Sequence, residues 1–286
     1  MDVGIGLPAT IPGAQGSVIL DWAAKADEGP FSSLSVLDRL VYPNYEPMVV
    51  LAAAGAVTSR VRLMTSILLA PLRSGAMLAK QAASVDAISG GRLSLGLGIG
   101  GRPDDFVAGE TDITTRGRRF DEQLATMKRI WVGAPYNEEA GAVGPAPGRP
   151  GGPELLIGAV SPRALRRVAQ WGDGFIAGGG GPDAARASYD AVLQHWDELG
   201  REGRPRFVSA AYFALGDDAG DRISSYVGDY YSFMPEYADV IAGAAPSTPQ
   251  KVRETLRAYE DVGIDEFLLW PCNPSLDQVD RLADIL

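Results

Sequence analysis

The chain has one cysteine and one histidine in 286 residues, and each scarcity removes a class of chemistry. With Cys272 alone, no intramolecular disulfide can form and no cysteine-based metal site can be assembled, which fits a reducing compartment. His195 lies late in a helical stretch, which in a β/α unit has already returned to the face opposite the strand ends. Ser-His-Asp catalysis, Cys-His catalysis and histidine-ligated zinc therefore lack their central group, and no metal site is expected. Positive charge is also short. The 26 Lys and Arg against 36 Asp and Glu leave a formal charge of -10 without any basic run, a balance that opposes nucleic acid and anionic membrane surfaces. No stretch approaches the roughly 20 apolar residues of a membrane span. Met1 to Leu7 enters a strand-like segment without a basic and apolar leader, so a cytoplasmic protein is expected.

What is present is regular alternation. A hydrophobic fraction of 46% with 22% charged residues supplies a sizeable core. Strands are expected at Val3–Leu7, Ser33–Leu37, Val61–Thr65, Arg92–Leu97, Leu155–Ala159, Gly174–Ala177, Phe207–Leu215 and Glu266–Trp270. Helical patterns follow at Ser17–Glu28, Pro47–Thr58, Met77–Ile88, Phe120–Trp131, Pro162–Gln170 and Pro182–Leu199. This β-α alternation requires right-handed crossovers and a sheet covered on both faces. It predicts one α/β domain over 1–286, a (β/α)8 TIM barrel, with a doubly wound open sheet as the alternative. Two excursions interrupt the rhythm. The segment 133–153 is rich in Gly and Pro and reads as a surface loop. The segment 217–248, expected to be helix after the seventh strand, carries Tyr226, Tyr230, Tyr231, Phe233 and Tyr237, either as a core stripe or as an aromatic wall over the barrel mouth.

Barrel enzymes build their sites at the C-terminal ends of the strands, which directs attention to the residues just past each one. These include Asp38 and Arg39, Ser66 and Ile67, Gly98 to Arg102, Ala159 to Ser161, Gly178 to Gly181, and Pro271 to Asn273. Gly96-Leu-Gly-Ile-Gly-Gly101 formally matches a dinucleotide fingerprint, but it follows the fourth strand and does not open directly into a helix. Tight turning, or close approach of the backbone to a flat ring, is the better use of these glycines. Ser161-Pro162 reads as an N-cap followed by a first-turn proline, and Gly178-Gly-Gly-Gly181-Pro182 opens the next helix. Two such helix starts in adjacent units form a ready cradle for a phosphate, although plain capping explains either one alone. Cys272 lies at the correct face without a histidine to activate it and reads as a packed thiol.

Several segments together resemble the luciferase-like monooxygenase superfamily. They are Leu37-Asp-Arg-Leu40, Leu51 to Arg60, Thr65-Ser-Ile-Leu-Leu-Ala-Pro-Leu-Arg73, Ala79-Lys-Gln-Ala-Ala83, Ser89-Gly-Gly-Arg-Leu93, Arg116-Gly-Arg-Arg-Phe-Asp-Glu122 and Gly172-Asp-Gly-Phe175. Their order is consistent over nearly the whole chain. The resemblance implies an oxidoreductase that binds FMN or the deazaflavin F420 at the C-terminal face, commonly as a homodimer, and acts on a small organic substrate. It places Ser66-Ile67 at a strand-three bulge, often a non-prolyl cis peptide, which supports the ring from behind. It also places Asp38 against the cofactor, and Val160, Ser161, Gly178 and Gly179 at the phosphate. The implied cofactor-binding set is Asp38, Ser66, Ile67, Gly98, Ala159, Val160, Ser161, Gly178 and Gly179, with Asp38 and Arg39 as candidates for catalysis.

This chain departs from one branch of that superfamily. Deazaflavin-dependent sugar-phosphate dehydrogenases have a histidine after the strand-two aspartate and a glutamate after strand four; here Arg39 and Gly101 or Arg102 stand there, so that acid/base mechanism is not supported. Arg39 is left to bind an anionic substrate, polarise a carbonyl or form a rim salt bridge. A composition rich in Ala, Gly and Arg, as in high-GC genomes, favours F420 over FMN. Two other classes remain open: a non-catalytic flavin-binding relative, and a phosphate-binding lyase or isomerase using Asp38 and Lys80. The absence of a lysine at any strand end disfavours Schiff-base chemistry in the latter.

Overall fold

Strands buried at every position need cover on both faces, and Ser33–Val36, Leu93–Gly98 and Gly174–Ala177 are of this kind. The computed structural model, which describes residues 1–286, supplies that cover with helices outside and side chains inside. The first half of the chain runs β1 (Asp2–Gly6), α1 (Gly16–Glu28), β2 (Ser33–Val36), α2 (Pro47–Val57), β3 (Arg62–Leu69), α3 (Gly75–Ile88), β4 (Leu93–Gly98), α4 (Pro103–Ala108) and α5 (Arg116–Trp131). The second half runs β5 (Glu154–Ala159), α6 (Pro162–Trp171), β6 (Gly174–Ala177), α7 (Gly181–Glu198), β7 (Arg206–Phe213), α8 (Ala219–Tyr230), α9 (Pro235–Ala244), α10 (Pro249–Asp261), β8 (Glu266–Pro271) and α11 (Asp277–Ala283). All eight strands are parallel, and β1 pairs with β8 from Asp2 opposite Glu266 to Ile5 opposite Leu269, which closes the barrel. The TIM barrel expected from the alternation is the fold observed.

Two layers fill the barrel's axis and decide where a ligand can enter. At the N-terminal end, Arg62 Nη2 lies 2.6 Å and Arg206 Nη1 2.7 Å from Glu154 Oε2, and Arg206 also pairs with the fully buried Glu266. Burial pushes the Glu154 carboxyl up, but Arg206 and Arg62 outweigh it and hold the group below the ordinary carboxylate range. Above this ring of charge, Met64, Leu156, Ile176, Val208 and Leu268 form an apolar plug. The C-terminal mouth is all that remains open, as is general for this architecture. A separate core of 52 buried residues, including Trp22, Phe31, Phe120 and Phe207, glues the helices to the outside of the strands.

The observed elements differ from expectation in informative places. Strand β3 continues to Leu69 instead of stopping at Thr65, and its pairing with β4 shifts register between Thr65 and Leu68. A bulge breaks the period-two pattern from which strand length is read. The segment after β7 is two helices, α8 and α9. The residues Tyr231 to Met234 separate them, and Pro235 starts the second, where a missing N–H costs nothing. Helices α4, α10 and α11 add to the expected set. The 133–153 loop packs against α3, with Lys80 donating to the Gly144 carbonyl at 2.7 Å and the Arg149 N–H donating to buried Asp86 at 3.0 Å.

Candidate active site

A cavity of about 830 Å³ opens at the C-terminal mouth. Asp38, Arg39, Ser66, Ile67, Ala159, Val160, Ser161, Gly178 and Gly179 all line it. Gly98 does not. It stands behind the wall, where a Cβ would come within 2.0 Å of Ile67 Cδ1. A Cβ on Gly158 would likewise lie 3.1 Å from two Ile67 carbons, so two glycines on neighbouring strands form the slot that seats this side chain. Gly96 belongs to the same arrangement, since a Cβ there would lie 2.0 Å from the Thr65 carbonyl oxygen. The glycines of β4 therefore house the β3 bulge. No helix springs directly from them, and the dinucleotide reading falls.

The bulge itself carries a cis peptide between Ser66 and Ile67. The Trp270 indole N–H points at both the Ser35 and Ser66 hydroxyls, at 3.1 and 3.2 Å, and so ties β8 and β2 to the bulge. On the other side of the cavity, the Ser161 hydroxyl accepts the Ala164 N–H and Pro162 occupies the first turn of α6. Gly180 and Gly181 enter α7 with φ of 118° and 85°, a left-handed path that a side chain would strain. The free N–H groups of these two helix starts border the cavity between Val160 and Pro182.

Asp38 and Arg39 differ in their pairing. The Asp38 carboxylate accepts from Arg73 Nη1 at 2.6 Å and from the Leu69 N–H at 2.8 Å, and Arg73 is held in turn by Glu46 at 3.1 Å. Asp38 thereby anchors the end of β3. Arg39 donates to the Tyr230 carbonyl at 2.6 Å and to the Val41 carbonyl at 3.1 Å, with its guanidinium 4.2 Å from the Tyr42 ring centroid and 4.9 Å from that of Tyr230. Arg102, on the same wall, is paired with Asp104.

The aromatic segment serves both of its expected roles. Tyr226 is core, its hydroxyl 2.7 Å from that of Thr10, whereas Tyr230, Tyr231, Phe233 and Tyr237 border the cavity. Tyr212, from β7, meets Tyr231 hydroxyl to hydroxyl at 3.2 Å and stands 5.2 Å from Trp270 between ring centroids. Burial pushes the Tyr231 phenol up to about 12, and Tyr212 is also raised well above the ordinary phenol value, burial again being the main cause. Both keep their protons at neutral pH and offer hydroxyls to the cavity.

The remaining sequence candidates lie elsewhere. His195 pairs with Glu198 at 2.9 Å near the end of α7, away from the cavity, and Lys80 faces the 133–153 loop. Cys272 is buried beside the α8 aromatics, its thiol pushed up by burial, and does not reach the cavity wall.

The family model described as luciferase-like monooxygenase matches residues 1–246. The chain belongs to that family. An uncharacterized protein of Mycobacterium tuberculosis is 32% identical over 209 residues, 63% of this chain and 71% of the relative. Two solved structures share the fold across 100% of this chain and 98% of theirs. An F420-dependent secondary alcohol dehydrogenase in complex with an F420-acetone adduct superimposes with a TM-score of 0.82 at 15% identity. The oxygenating constituent of 3,6-diketocamphane monooxygenase from Pseudomonas putida, in complex with FMN, gives 0.72 at 17%.

In this luciferase-like barrel, sequence reasoning missed Arg73, Tyr212 and Trp270. Tyr212 and Trp270 lie within strands whose ends alone were searched. Alternation along β7 and β8 offered the signal, because residues of one parity face the barrel axis and the last of these reach the mouth.

Proposed function

We propose that this luciferase-like protein is an oxidoreductase that holds F420 and acts on a small organic substrate at the C-terminal mouth. The observation that carries the reading is that one cavity is bordered both by the Ser66–Ile67 bulge and by the paired starts of α6 and α7. The first is a flat, fixed backbone surface suited to the back of a tricyclic ring, and the second is a set of free N–H groups suited to a phosphate. When bound, the ring system supplies the redox chemistry, as a hydride donor or acceptor or, for a reduced flavin, through dioxygen.

The chain's own contribution is positional. Ser66 and Ile67 would back the ring, with Gly98 and Gly158 giving Ile67 its seat and Trp270 fixing Ser66. Tyr212 and Tyr231, protonated, would offer hydrogen bonds to a substrate oxygen, while Phe233 and Tyr237 limit access of water. F420 is favoured over FMN by charge. The cradle between Val160 and Pro182 has no lysine or arginine on the cavity wall, and Arg163 is exposed outside it. Backbone dipoles and the neutral hydroxyls of Ser161 and Tyr237 suit the single charge of a phosphodiester better than a phosphomonoester, which carries about −1.5 to −2 at pH 7.

Side-by-side fluorescence titration of the purified protein with F420 and FMN tests this. Tight binding of F420, weakened at least about tenfold by Ser161→Asp or Gly179→Asp in a folded protein, is the expected result. Preference for FMN would replace the cofactor, and binding of neither would remove the redox reading.

A further inference from the structure

Tyr212 and Tyr231 carry two hydroxyl protons between them and share one hydrogen bond, their oxygens 3.2 Å apart. A phenol donates once and can also accept. Whichever of the two donates, the proton of the other has no partner in the protein, and both residues border the cavity. Tyr231 is the better placed to direct it at a ligand. Tyr212 is 3% exposed within β7, whereas Tyr231, just past the end of α8, is only partly buried. The Tyr231 ring is flanked by Tyr230 and Tyr237, 5.0 and 5.6 Å away between centroids, so its hydroxyl is held in position. The charged groups of the wall are committed elsewhere. Asp38 accepts from Arg73 and the Leu69 N–H, Asp105 accepts from the Leu40 and Val41 N–H groups, and Arg39 donates to two backbone carbonyls. The positions where the sugar-phosphate branch carries its acid and base hold Arg39 and Gly101 or Arg102 here.

We infer that Tyr231 is the catalytic proton donor and acceptor of this cavity, and that the reaction interconverts a neutral carbonyl compound and its carbinol. This rests on the proposed reading in placing the redox cofactor in the same cavity. In the reducing direction the carbonyl carbon takes a hydride from the reduced cofactor, the π pair of the C=O bond moves to oxygen, and that oxygen takes the Tyr231 proton. One C–H and one O–H bond form, the cofactor gives up two electrons and the substrate gains them, and the tyrosinate recovers a proton from water. A neutral O–H donor is matched to a neutral oxygen on which charge develops, and donors aimed at such charge lower the barrier. The tyrosinate left behind is disfavoured by burial, but the Tyr212 hydroxyl and the positive charge of Arg39 both favour it, with the Tyr237 phenol opposing them. Tyr212 is thus a positioning residue that acts through Tyr231.

The test is calorimetric titration of cyclohexanone and of its hydrocarbon isostere methylenecyclohexane, with and without F420, for the wild type, Tyr231→Phe and Tyr212→Phe, followed by single-turnover reduction of cyclohexanone by reduced F420. The wild type is expected to bind the ketone about three- to tenfold more tightly than the isostere, and Tyr231→Phe to remove that preference without changing affinity for the hydrocarbon. Tyr231→Phe should also slow reduction at least about 100-fold. Tyr212→Phe should slow it about tenfold while ketone affinity stays within about threefold, a split that a merely structural role does not give. Equal binding of ketone and isostere by the wild type overturns the proposal, as does a preference that survives Tyr231→Phe, including one that Tyr230→Phe then abolishes. A Tyr231→Phe protein that loses about tenfold in F420 affinity and keeps the ketone preference overturns it too, since the hydroxyl would then serve a carbonyl of the cofactor. Wild type that binds both F420 and ketone without reducing it overturns the catalytic role. If neither F420 nor FMN binds while the preference still depends on Tyr231, the redox reading falls and the carbonyl contact, measured without cofactor, stands.

Discussion

Ile67 and Gly98 compete for the same space: the Ile67 Cδ1 methyl lies 2.0 Å from where a Cβ on Gly98 would stand. Neither residue is chemically active, yet together they set the depth of the cavity floor. The β3 bulge pushes Ile67 against β4, and only a strand without a side chain at that point can receive it. Gly98→Ala is therefore expected to drive Ile67 into the cavity. Overpacking of this kind costs about 1–3 kcal/mol of stability. Cofactor affinity should fall by more than about tenfold, because the floor itself moves. Urea unfolding and F420 titration of the same preparation separate the two effects; unchanged affinity would show that the bulge does not support the ring.

The ion pair between Asp38 and Arg73 is nearly shielded from water, their side chains being 2% and 18% exposed. Removing one partner leaves the other charge buried and uncompensated. Arg73→Met should destabilise the protein by about 3–5 kcal/mol, more than Asp38→Asn, which leaves a neutral group able to keep some hydrogen bonds. A loss below about 1 kcal/mol in urea unfolding would mean that solvent reaches this pair freely.

Asp27, near the end of α1, accepts the N–H groups of Ser59, Arg60 and Val61 and ties the helix to the start of β3. Burial raises its carboxyl, but those three donors and the Ser59 hydroxyl prevail and bring it from 3.8 to about 2. A depressed carboxylate stabilises the native state above its unfolded value and loses that contribution as pH falls through its folded value. Asp27→Asn should thus cost about 1–2 kcal/mol at pH 7, and the difference from wild type should narrow below about pH 4 and vanish near pH 2. Paired urea titrations across that range give the answer; a gap independent of pH would locate the effect in packing.

Tyr231 is moved the other way, from 10.0 to about 12. The native state retains its proton after the unfolded chain has lost it. The stabilisation is full below about pH 10 and declines as pH rises from there towards about 12. Tyr231→Phe should flatten this alkaline limb while leaving the neutral-pH stability within about 1 kcal/mol, because the lost partner is the Tyr212 hydroxyl alone. Alkaline unfolding of the two proteins, followed with tyrosinate absorbance, is the direct measurement.

Much of the barrel was legible from short-range signals. Strands β2, β4, β5 and β6 stand within about two residues of their expected limits, because β5 and β6 carry short apolar runs and β2 and β4 alternate apolar residues with serine or glycine, both of which are local strand patterns. Helix α6 begins where Ser161 and Pro162 announce it, since capping is a contact between residues three apart. The β3 bulge was not visible in residue patterns; family resemblance pointed to Ser66–Ile67. The break between α8 and α9 has a local cause in Pro235, although the aromatic run disguised it as continuous helix.

The sequence by itself determined the alternation of strand and helix, the exclusion of histidine and disulfide chemistry, and the set of strand-end residues from which a site can be built. Each of these follows from composition or from neighbours a few residues apart. Tertiary structure alone decided what those residues do. Asp38 became an anchor because Arg73, 35 residues on, reaches it, and Ser66 was fixed by Trp270, 204 residues away. Arg39 was committed to the cavity wall because barrel closure brought it aromatic rings and backbone carbonyls. Pairing across such distances is set by closure of the sheet and the depth of burial, and neither is encoded in any local stretch of chain.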